Sequence, residues 1–168
     1  MANAEIFDIL KRSDKLAFYG VPSEGGEYTY HRMKGFTSLS TSKNPKEYSR
    51  QYVDEDSERT DVVGYSPSLS FNFDRAKDNA VHDDIIGIYD GEKLGADAVR
   101  PIVIVDITET EGNAVCRTFS IIPDSEGDGT DAYTYSGTFR AAGEKQTGTA
   151  TSEDGWKTIT FTSDTASE

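Results

Sequence analysis

The run Ser68-Leu69-Ser70-Phe71-Asn72-Phe73-Asp74 alternates polar and apolar residues without a break, the period of a strand whose successive side chains point to opposite faces. It predicts a strand with Leu69, Phe71 and Phe73 toward a core and Ser68, Ser70, Asn72 and Asp74 toward water. Beyond it the period changes. Val81, Ile85, Ile88 and Tyr89 recur at i, i+4, i+7 and i+8, an apolar stripe on a helix that Asp78 or Asn79 caps and that ends at Asp90-Gly91.

Phe36 to Ser42 reads as another strand, rich in small hydroxyl residues and therefore wet on at least one face. Strict alternation puts Leu39 on the face opposite Phe36, which leaves the side of Ser38 and Ser40 open. Asn3 caps a short helix carrying Ile6, Ile9 and Leu10, and Leu16 to Tyr19 reads as a strand. A turn through Gly20, Pro22, Gly25 and Gly26 leads to a short strand at Tyr28 to Tyr30. After the helix come four strand-like runs: Ile102 to Thr108, Val115 to Ile122, Tyr133 to Ala141 and Trp156 to Thr162. In the third, Tyr133, Tyr135 and Phe139 face one way and Thr134, Ser136, Thr138 and Arg140 the other. Ile102 to Val105 is apolar on both faces and is expected to be covered on both.

Between the wet strands lies Lys43 to Tyr65, polar and charged, with the acids Asp54, Glu55, Asp56 and Glu58. Long connections of this kind inside a small domain are functional or disordered. Three tyrosines, Tyr48, Tyr52 and Tyr65, with Arg50 beside them, favour an arm that orders against a neighbouring subunit. The organisation read from the pattern is one domain over 1–162, with 43–65 as a projecting arm and 163–168 as a polar tail.

Composition sharpens this. Leu, Ile, Val and Phe make up only 33 of 168 residues, a level at which high net charge suggests disorder. One Trp, nine Tyr, eight Phe and 17 Thr answer that concern, since these types suit a half-buried pleated surface. The formal net charge of −13 repels phosphate rather than collecting it. No run approaches the ~20 apolar residues of a membrane span, and Met1 to Leu10 lacks the marks of a leader, so a cytoplasmic protein is expected. The single cysteine, Cys116, forms no internal disulfide and reads as a small core or half-core thiol.

Candidate chemistry is sparse. The two histidines, His31 and His82, have no metal-ligand spacing, and His82-Asp83-Asp84 reads as a solvated helix face. Asp124 to Asp131 follows the first half of a calcium loop, but Tyr135 stands where the bidentate Glu belongs, so a hairpin turn carrying acids is expected. No nucleophile motif or phosphate loop is present. No catalytic residue, metal or cofactor is assigned.

The strand Phe36 to Ser42, the charged arm Lys43 to Tyr65, the returning strand Ser68 to Asp74, the helix Val81 to Tyr89 and the later strands through Phe161 together resemble the tail tube (major tail) proteins of long-tailed bacteriophages. The resemblance implies a mainly β fold, an antiparallel β-sandwich or barrel with one main α-helix packed on it, assembling into hexameric rings that stack into a hollow tube through which DNA passes. It implies that Ser38, Ser40, Ser68, Ser70, Asn72 and Asp74 face the lumen. Beneath that wall Leu69, Phe71 and Phe73 would meet Val81, Ile85, Ile88 and Tyr89. The arm, through Tyr48, Arg50, Tyr52, Asp54, Glu55 and Tyr65, would contact the adjacent ring as a long hairpin. The implied partners are further copies of the chain and tape-measure, tail-terminator and distal tail proteins; DNA passes without specific binding. The implied location is the host cytoplasm during assembly and the virion tail afterwards.

Two other readings stand beside this one. The chain fits equally the inner tube of a contractile tail or a phage-derived bacteriocin. From a different class, a monomeric β-sandwich carbohydrate-binding module would use Trp156 and the tyrosines as stacking platforms.

Overall fold

In the computed structural model, residues 9–108, 112–127 and 129–164 are described. Among them the strands are β1 Lys15–Pro22, β2 Tyr28–Arg32, β3 Phe36–Ser42, β4 Pro45–Arg50, β5 Arg59–Tyr65, β6 Ser68–Asp74, β7 Val99–Asp106, β8 Gly112–Glu126, β9 Thr134–Ala141, β10 Gln146–Thr151 and β11 Thr158–Ser163, with helix α1 at Ala80–Asp90 between β6 and β7. Among the described residues the fold is mainly β with one α-helix, as the alternation predicts. The expected helix from Asn3 lies for the most part outside the described residues, and its last positions, Ile9 and Leu10, are exposed. The described residues form two compact units, one from those within 1–33, 102–116 and 145–168, the other from those within 34–101 and 117–144.

In the first unit β1 pairs with β2 and β7, β2 with β11, β11 with β10, and β10 with the first half of β8, which also adjoins β7. Among the described residues these strands thus close on themselves. Leu16, Phe18, Val103, Val105, Ala114, Cys116, Ala150 and Ile159 fill the interior, with Tyr30, Trp156 and Phe161 against them. Cys116 is the core thiol expected, and burial pushes its pKa up. Ile102 and Val103 are both buried, so β7 is covered on both faces there.

Strand β10 has no counterpart in the sequence reading, because Gln146-Thr-Gly-Thr-Ala-Thr151 offers only Ala150 as an apolar residue. Its inward positions are Gly148 and Ala150, small because the strands crowd there. Trp156 precedes β11 instead of starting it. It sits in a turn at φ 66°, held by its N–H donating to Ser152 Oγ at 2.9 Å, and its ring packs half-buried on Phe18 with centroids 6.4 Å apart. Ser163, expected in the tail, ends β11 paired with Gly148; residues 165–168 lie outside the described ones.

In the second unit β3, β6, β9 and the second half of β8 form an antiparallel sheet in that order. Leu69, Phe71, Phe73, Tyr135, Phe139 and Ile121 are its buried apolar face. Helix α1 lies against that face with Val81, Ile85 and Ile88 buried and Tyr89 ring-to-edge on Tyr135 at 5.3 Å. The cap is Asn79, whose side-chain oxygen accepts from the Val81 and His82 N–H groups.

His82 corrects the expected solvated helix face. It is fully buried and stacked on Phe73 at 4.3 Å. Its Nδ1 accepts from the Ala76 N–H at 3.1 Å, so the neutral ring carries its proton on Nε2 and donates to the Lys34 carbonyl at 2.8 Å. Asp84 is likewise engaged, accepting from Arg100 Nε at 2.9 Å. Burial penalises the imidazolium and holds the His82 pKa below the ordinary value of 6.5; Arg75 pushes the same way, while the Lys34 carbonyl and Asp83 oppose. The unfolded chain therefore takes up this proton first as pH falls, so stability is complete above ~6.5 and declines below it. We expect the melting temperature to fall between pH 7 and pH 5, above the carboxylate range, and His82→Gln to flatten that slope; an unchanged slope would place the sensitive group elsewhere.

Candidate functional site: a polar sheet face and a separate hairpin

The open question of the β3 faces is resolved by a β-bulge. Phe36 pairs with Phe73, but Ser38 pairs with Asn72, leaving Thr37 as the extra residue. The insertion flips the register once, so Phe36 and Leu39 both join the apolar face and Ser38 and Ser40 both join the polar one. Three rows then cross the sheet on the polar side: Ser38, Asn72, Ser136 and Ser125; Ser40, Ser70, Thr138 and Ile122; Ser42, Ser68, Arg140 and Ser120. Asp74 and Thr134 extend the surface at one end. The hydroxyls of Ser125 and Ser136 bond at 2.7 Å.

Of the residues the sequence assigned to a wet wall, Ser40, Ser70, Asn72 and Asp74 are exposed and Ser38 is half-buried. Ser68 departs from the expectation: it is only 8% exposed, and its hydroxyl accepts from Asn44 Nδ2 at 3.1 Å. The β9 and β8 members of the rows were not assigned, although the alternation of Thr134, Ser136, Thr138 and Arg140 in the sequence already pointed to them. Arg140 stands exposed among hydroxyls, the one base in rows whose acid is Asp74.

Lys43 to Tyr65 is an ordered hairpin. Strands β4 and β5 pair with each other as a separate two-stranded sheet. Its root is fastened by Asn44, held at φ 47°, whose Nδ2 donates to the Ser66 carbonyl and to Ser68 Oγ, each at 3.1 Å. Asn44→Ala loses both bonds and leaves a side chain poorly suited to that φ; the expected cost is about 1–2 kcal/mol, confined to the root. Proteolysis of the arm should speed up while the melting temperature of the whole chain hardly moves, whereas Asn44→Gly, which tolerates the φ, should cost less.

On the hairpin, Tyr48, Arg50 and Tyr52, expected to meet a neighbouring subunit, come together onto one another. The Arg50 guanidinium lies 5.0 Å from the Tyr48 ring centroid and 5.5 Å from that of Tyr52. Asp54 and Glu55 lie in the turn beyond β4 and are exposed. Val53, Val62, Val63 and Tyr65 are all more than half exposed, an apolar set of which the sequence reading named only Tyr65.

Among the described residues no three His, Cys, Asp or Glu side chains gather as metal ligands, and no helix is long and apolar enough to cross a membrane. The acidic turn at Asp124–Asp131 lies partly outside the described residues, since Asp128 is not among them; Asp124 and Glu126 belong to β8. An open cleft of about 370 Å³ between the end of α1 and β8 is lined by Tyr89, Leu94 and Pro123 with Glu92, Asp124 and Glu126, and no histidine or cysteine reaches it.

No protein-family model matches the sequence, and no curated protein does. Solved structures do. The fold is similar to that of a chain of the SPP1 tail tube, with 12% identity and a TM-score of 0.65 over 83% of this chain and 78% of that one. It is similar to a chain from the tail of an empty GTA particle computed with helical refinement in C6 symmetry, with 15% identity and a TM-score of 0.54 over 82% of this chain and 97% of that one. It is also similar to a chain of the anti-feeding prophage cap, the tube-terminating cap, with 16% identity and a TM-score of 0.51 over 89% of this chain and 97% of that one. At such identities the likeness is one of fold, and the fold is that of tail tube subunits.

Proposed function

We infer that the chain is a structural subunit whose hexameric rings stack into the hollow tail tube of a phage-like particle, the polar face of the β3–β6–β9–β8 sheet lining the lumen and the hairpin arm reaching the next ring. The observation that carries this reading is the joint presence of three features on a tail tube fold: a sheet polar on one face, an apolar underside sealed by α1, and a separate exposed arm. Each has a physical use in a conduit. Serine, threonine and asparagine give moving DNA little to hold, whereas a basic wall would bind phosphates through counterion release. A ring of six would carry six times the formal −13 of one chain, a field that disfavours phosphate at the particle surface, while the rows themselves balance Arg140 against Asp74. Joining β3, the last strand of its sheet, to a neighbour would pair an edge that is otherwise an aggregation hazard.

On this reading the chain has a structural role with no catalytic residue. Its partners are copies of itself and the tape-measure, tail-terminator and distal tail proteins that begin, measure and close a tube; it assembles in the host cytoplasm and ends in the virion tail. A single domain over 1–162 would then act as the tube module. The inner tube of a contractile tail or of a phage-derived bacteriocin stays as a second reading, which a sheath gene beside this one would favour. The carbohydrate-module reading loses its main platform, because Trp156 packs on Phe18.

The test is negative-stain electron microscopy of the purified chain across a concentration series, beside a variant in which a short linker replaces residues 43–65. Full-length protein is expected to form hollow tubes or six-fold rings, and the armless variant to stay folded by circular dichroism without stacking. Tubes of normal length from the armless variant would overturn the role of the arm. A full-length chain that stays monomeric throughout and is retained on a polysaccharide would overturn the tube itself.

A further inference from the structure

A two-stranded hairpin alone is marginally stable in water, and β4 and β5 pair only with each other. The exposed Val53, Val62, Val63 and Tyr65 supply no core to hold it. Beyond the backbone ladder, several of its side-chain contacts gather on Arg50. Arg50 Nε donates to the Tyr52 hydroxyl at 2.8 Å, Nη1 reaches the Tyr48 carbonyl at 3.5 Å, and Nη2 pairs with the Asp61 carboxylate on the opposite strand. Both tyrosine rings lie against the guanidinium, and in an otherwise exposed arm its side chain is only 21% exposed. Beside it Ser49 and Thr60 bond across the strands at 2.8 Å, and Arg59 also reaches Asp61 at 3.5 Å.

We propose that Arg50 is a positioning residue that keeps the arm in its docking shape before a partner is met, so that stacking does not have to order a loose loop. The proposal rests on the reading of the arm as a contact between copies. Its physical basis is that immobilising a flexible segment on binding costs free energy, which a segment ordered beforehand has already met. The planar fork of arginine is needed because three partners and two rings are addressed at once, which the point charge of lysine does not reproduce. The Asp61 carboxyl is held below the usual carboxylate range, chiefly by its hydrogen bond from Arg50, so the clamp persists into mildly acidic solution.

Hydrogen exchange on the free full-length chain tests the clamp without any need for assembly. In Arg50→Ala the amides of β4 and β5 should lose about tenfold or more of their protection while both compact units keep theirs, and Arg50→Lys should lose much of it too. Tube formation by the same variants should require a higher protein concentration. A cross-strand disulfide then separates ordering from contact: Ser49→Cys with Thr60→Cys, built into Arg50→Ala, should restore both protection and assembly when oxidised. Unchanged protection in Arg50→Ala would overturn the proposal. So would a disulfide that restores protection but not tubes, since Arg50 would then act by touching the partner. If the armless variant forms normal tubes, the role of the arm fails instead, and the exchange result still decides whether Arg50 holds the hairpin.

Discussion

Phe71→Ala is expected to destabilise the second unit by about 3–5 kcal/mol. Phe71 is 1% exposed, and its ring stacks on Phe139 at 4.3 Å and lies near Phe36 and Phe73. The cross-strand position opposite it is Gly137, where a Cβ would stand 2.8 Å from the Phe71 ring and 2.6 Å from the Tyr89 hydroxyl. The ring thus fills part of the space that a side chain at position 137 would take, beside the Tyr89 hydroxyl and the Ile122 carbonyl. The loss should appear as a lower urea midpoint in near-ultraviolet circular dichroism, with the slope unchanged. A shift worth less than about 1.5 kcal/mol would mean that α1 settles onto the sheet and closes the cavity. Phe71 lies beneath the two rows that carry Ser70 and Asn72, so on the tube reading proposed above the same variant should also assemble poorly.

Gly148→Ala is expected to open the barrel of the first unit. Gly148 lies in β10 between Ser163 of β11 and Ala114 of β8. A Cβ there would sit 2.0 Å from the Thr162 carbonyl oxygen and 3.0 Å from the Phe161 ring. A backbone carbonyl within a ladder does not swing aside as a flexible side chain would, so β10 must part from β11. The cost should exceed about 3 kcal/mol, above the usual range for one added methyl group in a core, and it is a large share of the 5–15 kcal/mol that holds a typical domain together. The chain has one tryptophan, and it packs on Phe18 within this unit. Its fluorescence therefore reports the barrel directly: the transition should move to much lower temperature in Gly148→Ala, and a wild-type transition would show that the two strands accommodate the methyl.

Strand β6 and helix α1 were legible because their periods are unbroken and each face is decided within the segment itself. His82 was misplaced although a signal was present, since it lies three residues before Ile85 and seven before Tyr89 and so borders the buried stripe. A polar residue type hid what the spacing implied. The arm was legible as a segment outside the core, from its charge, but not as a hairpin whose Tyr48, Arg50 and Tyr52 satisfy one another before anything else touches them.

What the sequence determined by itself is local: where the period is two or 3.6, which side of such a segment is apolar, and that a chain of net charge −13 has no surplus of basic residues with which to grip phosphate. The tertiary structure alone decided the pairings. Thr37 carries no mark of a bulge; it becomes the extra residue because Phe36 and Leu39 can both reach the apolar face of β6 only if the register shifts between them. Gly148 is a strand residue only because closing the barrel requires something small beside Thr162. Both outcomes depend on partners distant in sequence, and burial against a partner, unlike period, is not written into the segment that undergoes it.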